Sequence, residues 1–262
     1  MSAHGAAKAR PPVIMVHGAF CGGWVFDGFR QPFEAVGYEC LTPDLPGRDK
    51  ASGASAAGVS MSRYAAAIAD LIRAQTQAPI LIGHSLGGLV AQMAAAKAPV
   101  RALILLAPSA PWGVSGGSVE EAVSAVSLYA LGPYWLQAVE PDYAIARNYS
   151  FDRLEKPARK ATFAKMVPES GRALWETLNW WLDPFMTTSA PPDRIAAPVL
   201  AITGGKDQVH PPHTVRRIAD RLGGETRLFE AMSHWLPAEP GWDAVAQACL
   251  DWIANHEAAA AA

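Results

Sequence analysis

The chain has 262 residues, of which 50% are hydrophobic and 18% charged, and its formal net charge is -2. This length suits one large domain with a sizeable core. The composition is that of an ordinary soluble globule and lacks the basic excess of a nucleic-acid-binding protein, so we expect a small molecule as the partner.

The sequence carries no signal for membrane insertion or for metal binding. Residues 1–10 contain no apolar core of signal-peptide length, and no apolar run reaches the roughly 20 residues that span a bilayer. We therefore expect a cytoplasmic protein without a membrane span, either a monomer or a homodimer. Cys21, Cys40 and Cys249 are widely spaced and odd in number, which argues against a disulfide framework and against a zinc cluster. We expect no metal and no cofactor.

Short apolar runs that end in loops predict the strands of a parallel sheet. In chain order they are residues 13–16, 38–42, the run that ends at Gly83, 101–106, 199–202 and 226–229. Helical spacing of apolar residues predicts helices over residues 61–75, 214–222 and 242–255, and an alanine-rich helix follows Ser85. Alternating strands and helices predict an α/β fold, with a mostly parallel sheet of about six strands and helices on both faces.

One long segment interrupts this alternation. Residues 111–190 contain several helix-like pieces and no convincing buried strand, with prolines at 133, 141, 157, 168 and 184. We interpret this segment as a helical cap inserted into a core domain of residues 1–110 and 191–262. It contains five of the nine tryptophans.

The stretch around Ser85 predicts a nucleophile. Residues 79–88 read Pro-Ile-Leu-Ile-Gly-His-Ser-Leu-Gly-Gly, which is an apolar strand that ends in Gly-x-Ser-x-Gly and leads into a helix. In such an elbow the turn holds the serine in a strained conformation with its hydroxyl exposed. Gly83 and Gly87 leave room for a turn this tight.

A serine nucleophile needs a histidine base and a carboxylate that orients it. Asp207 and His234 each follow one of the last two predicted strands, which places both at the carboxyl edge of the sheet beside Ser85. We therefore predict a triad of Ser85, Asp207 and His234. The other candidate bases are expected at the surface, namely His210, His213 and His256. We interpret His84 as a buried histidine with its hydrogen bonds satisfied.

The tetrahedral intermediate of acyl transfer needs backbone N–H donors for its oxyanion. Leu86, which follows the nucleophile, is the first predicted donor, and Ala19 in the His17-Gly18-Ala19-Phe20 loop is the second. Phe20 should then face the substrate pocket. We also expect three tryptophans to contact substrate: Trp180, Trp181 and Trp235.

These motifs resemble those of the α/β-hydrolase superfamily, in which Gly-His-Ser-Leu-Gly-Gly is a frequent form of the elbow. Residues 17–24 resemble the corresponding loop of plant methylesterases and their hydroxynitrile lyase relatives. The resemblance implies the α/β-hydrolase fold and the triad given above. The lyases carry a threonine and a lysine where this chain has Gly18 and Trp235, which disfavours lyase activity. The two leading strands common in the superfamily are expected to be absent or reduced, because the first strong strand begins at Val13.

The resulting hypothesis is a carboxylesterase-like serine hydrolase that cleaves small to medium hydrophobic esters. Thioester, lactone or carbon–carbon bond hydrolysis on the same triad is an alternative. A second alternative is a ligand-binding receptor with a vestigial triad. Dehalogenase chemistry is rejected, because its alkyl-enzyme intermediate needs a carboxylate at the position of Ser85.

Overall fold

The computed structural model describes residues 10–48 and 55–261. The strands in this part of the chain are β1 (Val13–Val16), β2 (Cys40–Leu41), β3 (Ile80–His84), β4 (Ala102–Leu106), β5 (Ala138–Val139), β6 (Glu169–Ser170), β7 (Val199–Gly204) and β8 (Glu225–Phe229). The α-helices are α1 (Gln31–Ala35), α2 (Met61–Arg73), α3 (Leu86–Ala95), α4 (Val119–Tyr129), α5 (Tyr143–Ile145), α6 (Lys156–Phe163), α7 (Gly171–Leu178), α8 (Pro212–Arg221) and α9 (Trp242–Ala261). Short 3₁₀ or π turns lie at Gly23–Phe26, Tyr134–Leu136, Ala146–Ser150, Trp180–Leu182 and Pro192–Arg194.

Six of the strands form one parallel sheet in the order β2-β1-β3-β4-β7-β8. The strand order reverses direction at β1, since the chain goes first to β2 at one edge and then to β3 on the other side. Parallel strands need crossover connections, and the helices α2, α3 and α8 supply them. The predicted α/β architecture of about six strands is confirmed.

The core lies on both faces of this sheet because successive side chains of a strand point in opposite directions. In β1, Ile14 and Val16 pack on the face covered by α2, α3 and α8, whereas Val13 and Met15 pack on the face covered by α1 and α9. All four residues are fully buried. This explains why the central strands read as unbroken apolar runs.

Residues 111–190, which the sequence pattern led us to interpret as a cap and which are named the cap segment below, lie between β4 and β7 and contain α4 to α7. It also contains the antiparallel pair of β5 and β6, which the sequence did not predict. Each of these strands has only two residues, too few for a period to be recognised. Leu128, Tyr134, Val139 and Leu174 form a small apolar cluster inside the cap segment.

No helix among the described residues combines the length and the apolar character needed to cross a membrane.

Candidate active site

Ser85 lies at the sharp turn between β3 and α3. Its backbone has φ 55° and ψ −124°, a strained conformation for a residue with a side chain. Two hydrogen bonds hold the turn: Ser85 N donates to Leu106 O at 3.0 Å, and Gly88 N donates to Ser85 O at 2.8 Å. The turn presents the Ser85 side chain at the carboxyl edge of the sheet.

Close backbone contacts around this turn require glycine at two positions. A β-carbon on Gly87 would lie 2.3 Å from the carbonyl oxygens of Val16 and His17, and one on Gly83 would lie 2.4 Å from the carbonyl oxygen of Gly87. Such contacts are far inside van der Waals distance. The spacing of the Gly-x-Ser-x-Gly motif therefore follows from the packing of α3 against β1 and β3.

The loops after β7 and β8 bring Asp207 and His234 to Ser85. His234 Nε2 lies 3.0 Å from Ser85 Oγ, and His234 Nδ1 lies 3.0 Å from Asp207 Oδ2. All three residues are buried, with 3% of His234 and 4% of Asp207 exposed. With Nδ1–H donating to Asp207, Nε2 is free to accept the proton of the Ser85 hydroxyl.

The surroundings of the pair shift the pKa values of both Asp207 and His234. Asp207 Oδ1 accepts hydrogen bonds from the backbone N–H groups of Val209 and His210 at 2.8 and 2.9 Å. Burial raises the pKa of the Asp207 carboxyl, and these two donors oppose the rise. Burial also lowers the pKa of His234, which keeps the imidazole neutral and able to act as a base.

The predicted oxyanion donors lie beside Ser85. A cavity, described below, lies above Ser85, and both Ala19 and Leu86 line it. Leu86 occupies the first position of α3, where a backbone N–H has no partner inside the helix. Within residues 10–48 and 55–261, neither the Ala19 N–H nor the Leu86 N–H donates a hydrogen bond to the protein. Both groups are therefore available to a ligand oxygen.

A cavity of about 570 Å³ lies between the sheet edge and the cap segment, with Ser85 and His234 in its wall. Its apolar lining residues come from several elements and include Phe20, Leu128, Val139, Met166, Leu174, Leu178 and Trp235. This volume is within the range of small-molecule sites.

Of the four aromatic residues predicted to contact substrate, two line this cavity and two do not. Phe20 and Trp235 are in its wall. Trp180 packs edge-on against Trp112, with ring centres 5.9 Å apart, and Trp181 is 64% exposed. The expectation that Trp180 and Trp181 line the pocket is therefore wrong, because the short 3₁₀ turn that carries them lies on the outside of the cap segment.

The prediction for His210 also needs correction, since this histidine is buried rather than at the surface. Its Nδ1 lies 2.8 Å from Ala107 O, its Nε2 lies 3.2 Å from Ser109 Oγ, and its ring centre lies 5.1 Å from that of His234. Burial lowers its pKa to about 4, so it is neutral. The turn in which Asp207 accepts the His210 N–H draws the ring inward.

The structure agrees with only part of the predictions for the other three histidines. His213 is exposed and His256 is half-buried. His84 is buried as expected, and its Nε2 lies 2.9 Å from His234 O. Its Nδ1 has no hydrogen-bond partner among the described residues, so the prediction that His84 is fully satisfied is wrong for that atom.

Sequence reasoning missed two acidic residues of the cavity wall. Glu120 and Glu121, in the first turn of α4, both line the cavity. Burial raises the pKa of Glu121 to about 7, and the neighbouring Glu120 adds to the rise. Their position near the site depends on how α4 packs, which no local sequence signal encodes. No group of three or more metal-ligating side chains is present in residues 10–48 and 55–261.

The model of a known protein family, described as the alpha/beta hydrolase family, matches residues 13–248. The chain belongs to this family. The match covers both the elbow and the loops that carry Asp207 and His234. This membership supports hydrolase activity for the chain.

Two curated relatives are esterases or hydrolases by name. This hydrolase is 31% identical over 231 residues to a pimeloyl-acyl-carrier-protein methyl ester esterase of Neisseria meningitidis serogroup B, a match that covers 85% of each chain. It is 30% identical over 145 residues to a pyrethroid hydrolase of Sphingobium wenxiniae, which covers 55% of this chain and 52% of that protein. The second match thus spans about half of the relative's length.

A solved methylesterase structure from Arabidopsis has the same fold. Its TM-score is 0.72 at 17% sequence identity, and the match covers 94% of this chain and 99% of the methylesterase. At this identity the likeness concerns the fold alone.

Proposed function

We propose that this hydrolase cleaves carboxylic esters of uncharged, small to medium hydrophobic substrates through an acyl-enzyme on Ser85. Ser85 Oγ attacks the ester carbonyl while His234 takes its proton, and His234 then gives that proton to the leaving alcohol. Asp207 holds the imidazole in the required tautomer. A water molecule activated by His234 then releases the acid and frees Ser85.

The observation that carries this proposal is the continuous hydrogen-bonded chain from Ser85 to His234 to Asp207 beneath a cavity. Both of its links measure 3.0 Å. The free N–H groups of Ala19 and Leu86 support the proposal, because an oxyanion forms next to the nucleophile in acyl transfer. We assign them as the two donors of the oxyanion hole.

The cavity lining supports an uncharged substrate. Apolar side chains form much of the wall, and among the described residues that line it there is no lysine or arginine that would bind an anionic substrate. The curated relatives support an ester substrate, since one of them is a methyl ester esterase. We propose that the cap segment, residues 111–190, covers the bound acyl chain, and that Phe20 and Trp235 contact it.

Two other functions are possible on this site, and the experiment described below distinguishes them from ester hydrolysis. Thioesters, lactones and carbon–carbon bonds can be cleaved by the same triad, so the identity of the scissile bond needs a substrate panel. A ligand-binding receptor with a vestigial triad would bind these compounds without turnover. The intact hydrogen bonds of Ser85 and His234 favour catalysis over that role.

The test compares wild type with Ser85→Ala on p-nitrophenyl acetate, butyrate and hexanoate, with a thioester and a lactone as further substrates. We expect Ser85→Ala to lower kcat by at least about 10³-fold without lowering the unfolding temperature, as nucleophile removal does in measured triads. Turnover of Ser85→Ala within a few-fold of wild type would contradict the assignment. A wild type that binds esters without hydrolysing any of them would favour the receptor.

A further inference from the structure

A buried ion pair joins the core domain to the cap segment beside the proposed oxyanion hole. Arg48 follows β2 in the core domain, and Glu169 lies in β6 of the cap segment. Their side chains are 1% and 0% exposed, and the Arg48 guanidinium contacts the Glu169 carboxylate directly. Arg48 also donates to the carbonyl oxygen of Pro168.

Stability alone does not account for this pair. Removing two charges from water carries a penalty that their attraction only offsets in favourable geometry, and apolar residues of similar size often stabilise a core as well or better. The contacts of Glu169 suggest a different role.

The Glu169 carboxylate is surrounded by hydrogen-bond donors. Its Oε1 accepts from the Tyr64 hydroxyl at 2.8 Å and from the Ser170 N–H at 2.7 Å. Its Oε2 contacts Arg48 and accepts from the Phe20 N–H at 3.2 Å. Both oxygens are therefore fixed. Of the residues that contact them, Phe20 is the one that lines the cavity at Ser85.

Phe20 has an unusual backbone conformation that needs such support. Its φ is 62°, in the left-handed region that a residue with a large side chain seldom adopts. The cap segment holds both of its polar backbone groups, because Val167 N donates to Phe20 O at 2.9 Å while Glu169 accepts from Phe20 N. The Phe20 N–H belongs to the peptide that directly follows Ala19. These contacts therefore fix the backbone next to the Ala19 N–H.

We propose that Glu169, held by Arg48 and Tyr64, is a positioning residue that fixes the Phe20 peptide and so aims the Ala19 N–H at the oxyanion. This inference rests on the proposed esterase function, since it assigns a role to a loop of the same site. It also means that docking of the cap segment on the core completes the oxyanion hole.

Glu169→Gln tests the proposal because every partner of this carboxylate is a donor. A glutamine offers one oxygen and one NH₂ group, so it must present a donor either to Phe20 and Arg48 or to Tyr64 and Ser170. We expect kcat on p-nitrophenyl butyrate to fall at least about tenfold, as small displacements of transition-state contacts do. KM should stay within about threefold of wild type, because the donor acts on the transition state.

Hydrogen–deuterium exchange of residues 18–21 gives a second readout that does not need activity. We expect the Phe20 amide to exchange faster in Glu169→Gln than in wild type. If wild type hydrolyses no ester, the proposed function fails, and the exchange result still decides whether Glu169 fixes this loop. Unchanged exchange together with unchanged kcat would overturn the inference.

Glu176→Gln is the matched control. Glu176 is also a buried glutamate of the cap segment that reaches the core domain, where it accepts from the Met61 N–H at 2.8 Å, and it pairs with Arg172 rather than with the Phe20 loop. We expect its kcat and its exchange at residues 18–21 to match wild type. An equal loss of kcat in Glu176→Gln would show that any weakening of the cap has this effect, and would overturn the specific role.

Glu169→Gln leaves Arg48 buried without its partner charge and so could fail to fold. Tyr64→Phe keeps the test decisive in that case. Tyr64→Phe removes only the 2.8 Å hydrogen bond to Oε1 and preserves the ion pair. We expect faster exchange at Phe20 and a kcat lower by about threefold or more, again with little change in KM. Wild-type values for both measurements would contradict the proposal.

Discussion

At the scale of single residues, the burial of His234 decides when the proposed base is available. An unperturbed histidine titrates near pH 6.5, and burial lowers the pKa of His234 below that value. The neutral imidazole therefore persists to lower pH than it would at the protein surface. This favours proton abstraction from Ser85 at neutral and mildly acidic pH.

We accordingly expect kcat/KM to stay level as the pH falls from about 8 to about 6.5 and to decline with a midpoint below about 6.5. The measurement is hydrolysis of p-nitrophenyl butyrate across this range, followed at a wavelength that does not depend on the ionisation of the product. Circular dichroism at each pH separates titration of the site from acid unfolding. A midpoint above about 6.5 with the fold intact would contradict the assigned state of His234.

Residues at the centre of the site could be predicted because each has a local reason for its place. Ser85 lies between glycines in a turn, and Asp207 and His234 lie in loops that follow strands. His210 shows the limit of this reasoning. The sequence predicted a surface position for it, but Asp207 accepts its backbone N–H and the ring turns toward Ala107.

At the scale of elements, helix α7 sets one wall of the cavity. Leu174 is 8% exposed and packs with Leu128 and Val139 in the small cluster of the cap segment, and all three line the cavity. A larger side chain at this position takes space from the bound acyl chain. Trp181 follows soon after α7 but faces solvent, which makes it a useful comparison.

We expect wild-type kcat/KM to rise by about fourfold per added methylene until the cavity is full, which corresponds to about 0.8 kcal/mol for each buried CH₂. Leu174→Phe should shorten the acyl length at which this rise stops. The measurement is kcat/KM along p-nitrophenyl esters from acetate to decanoate. Trp181→Ala, the control, should follow the wild-type series; a shift in Trp181→Ala but none in Leu174→Phe would place the acyl chain elsewhere.

The strands and longer helices could be predicted from periodicity, with ends that differ by a few residues. The helix α2 ends at Arg73 rather than at residue 75, and β2 is limited to Cys40–Leu41. The five-residue helix α1 and the pair of β5 and β6 were missed, because such short segments show too little of a period to be recognised. The strands and helices that build the sheet could thus be predicted from the spacing of their apolar residues.

At the scale of the whole molecule, the parallel sheet explains why the convergence of Ser85, Asp207 and His234 could be predicted without coordinates. All its strands end at the same edge, so loops after β3, β7 and β8 converge although their residues are far apart in sequence. No comparable rule predicts where the residues of the cap segment lie. The pairing of Arg48 with Glu169, and the outward position of Trp181, depend on how irregular pieces pack, which the sequence pattern does not encode.

The central claim is that Ser85 is the nucleophile that forms the acyl-enzyme, and covalent labelling of this serine tests it most directly. Wild type and Ser85→Ala are treated with a fluorophosphonate, which reacts with activated serines, and the digested chains are analysed by mass spectrometry. We predict one adduct per wild-type chain, on the peptide that contains Ser85, and none in Ser85→Ala. No adduct on wild type, or an adduct on another residue that persists in Ser85→Ala, would contradict the account.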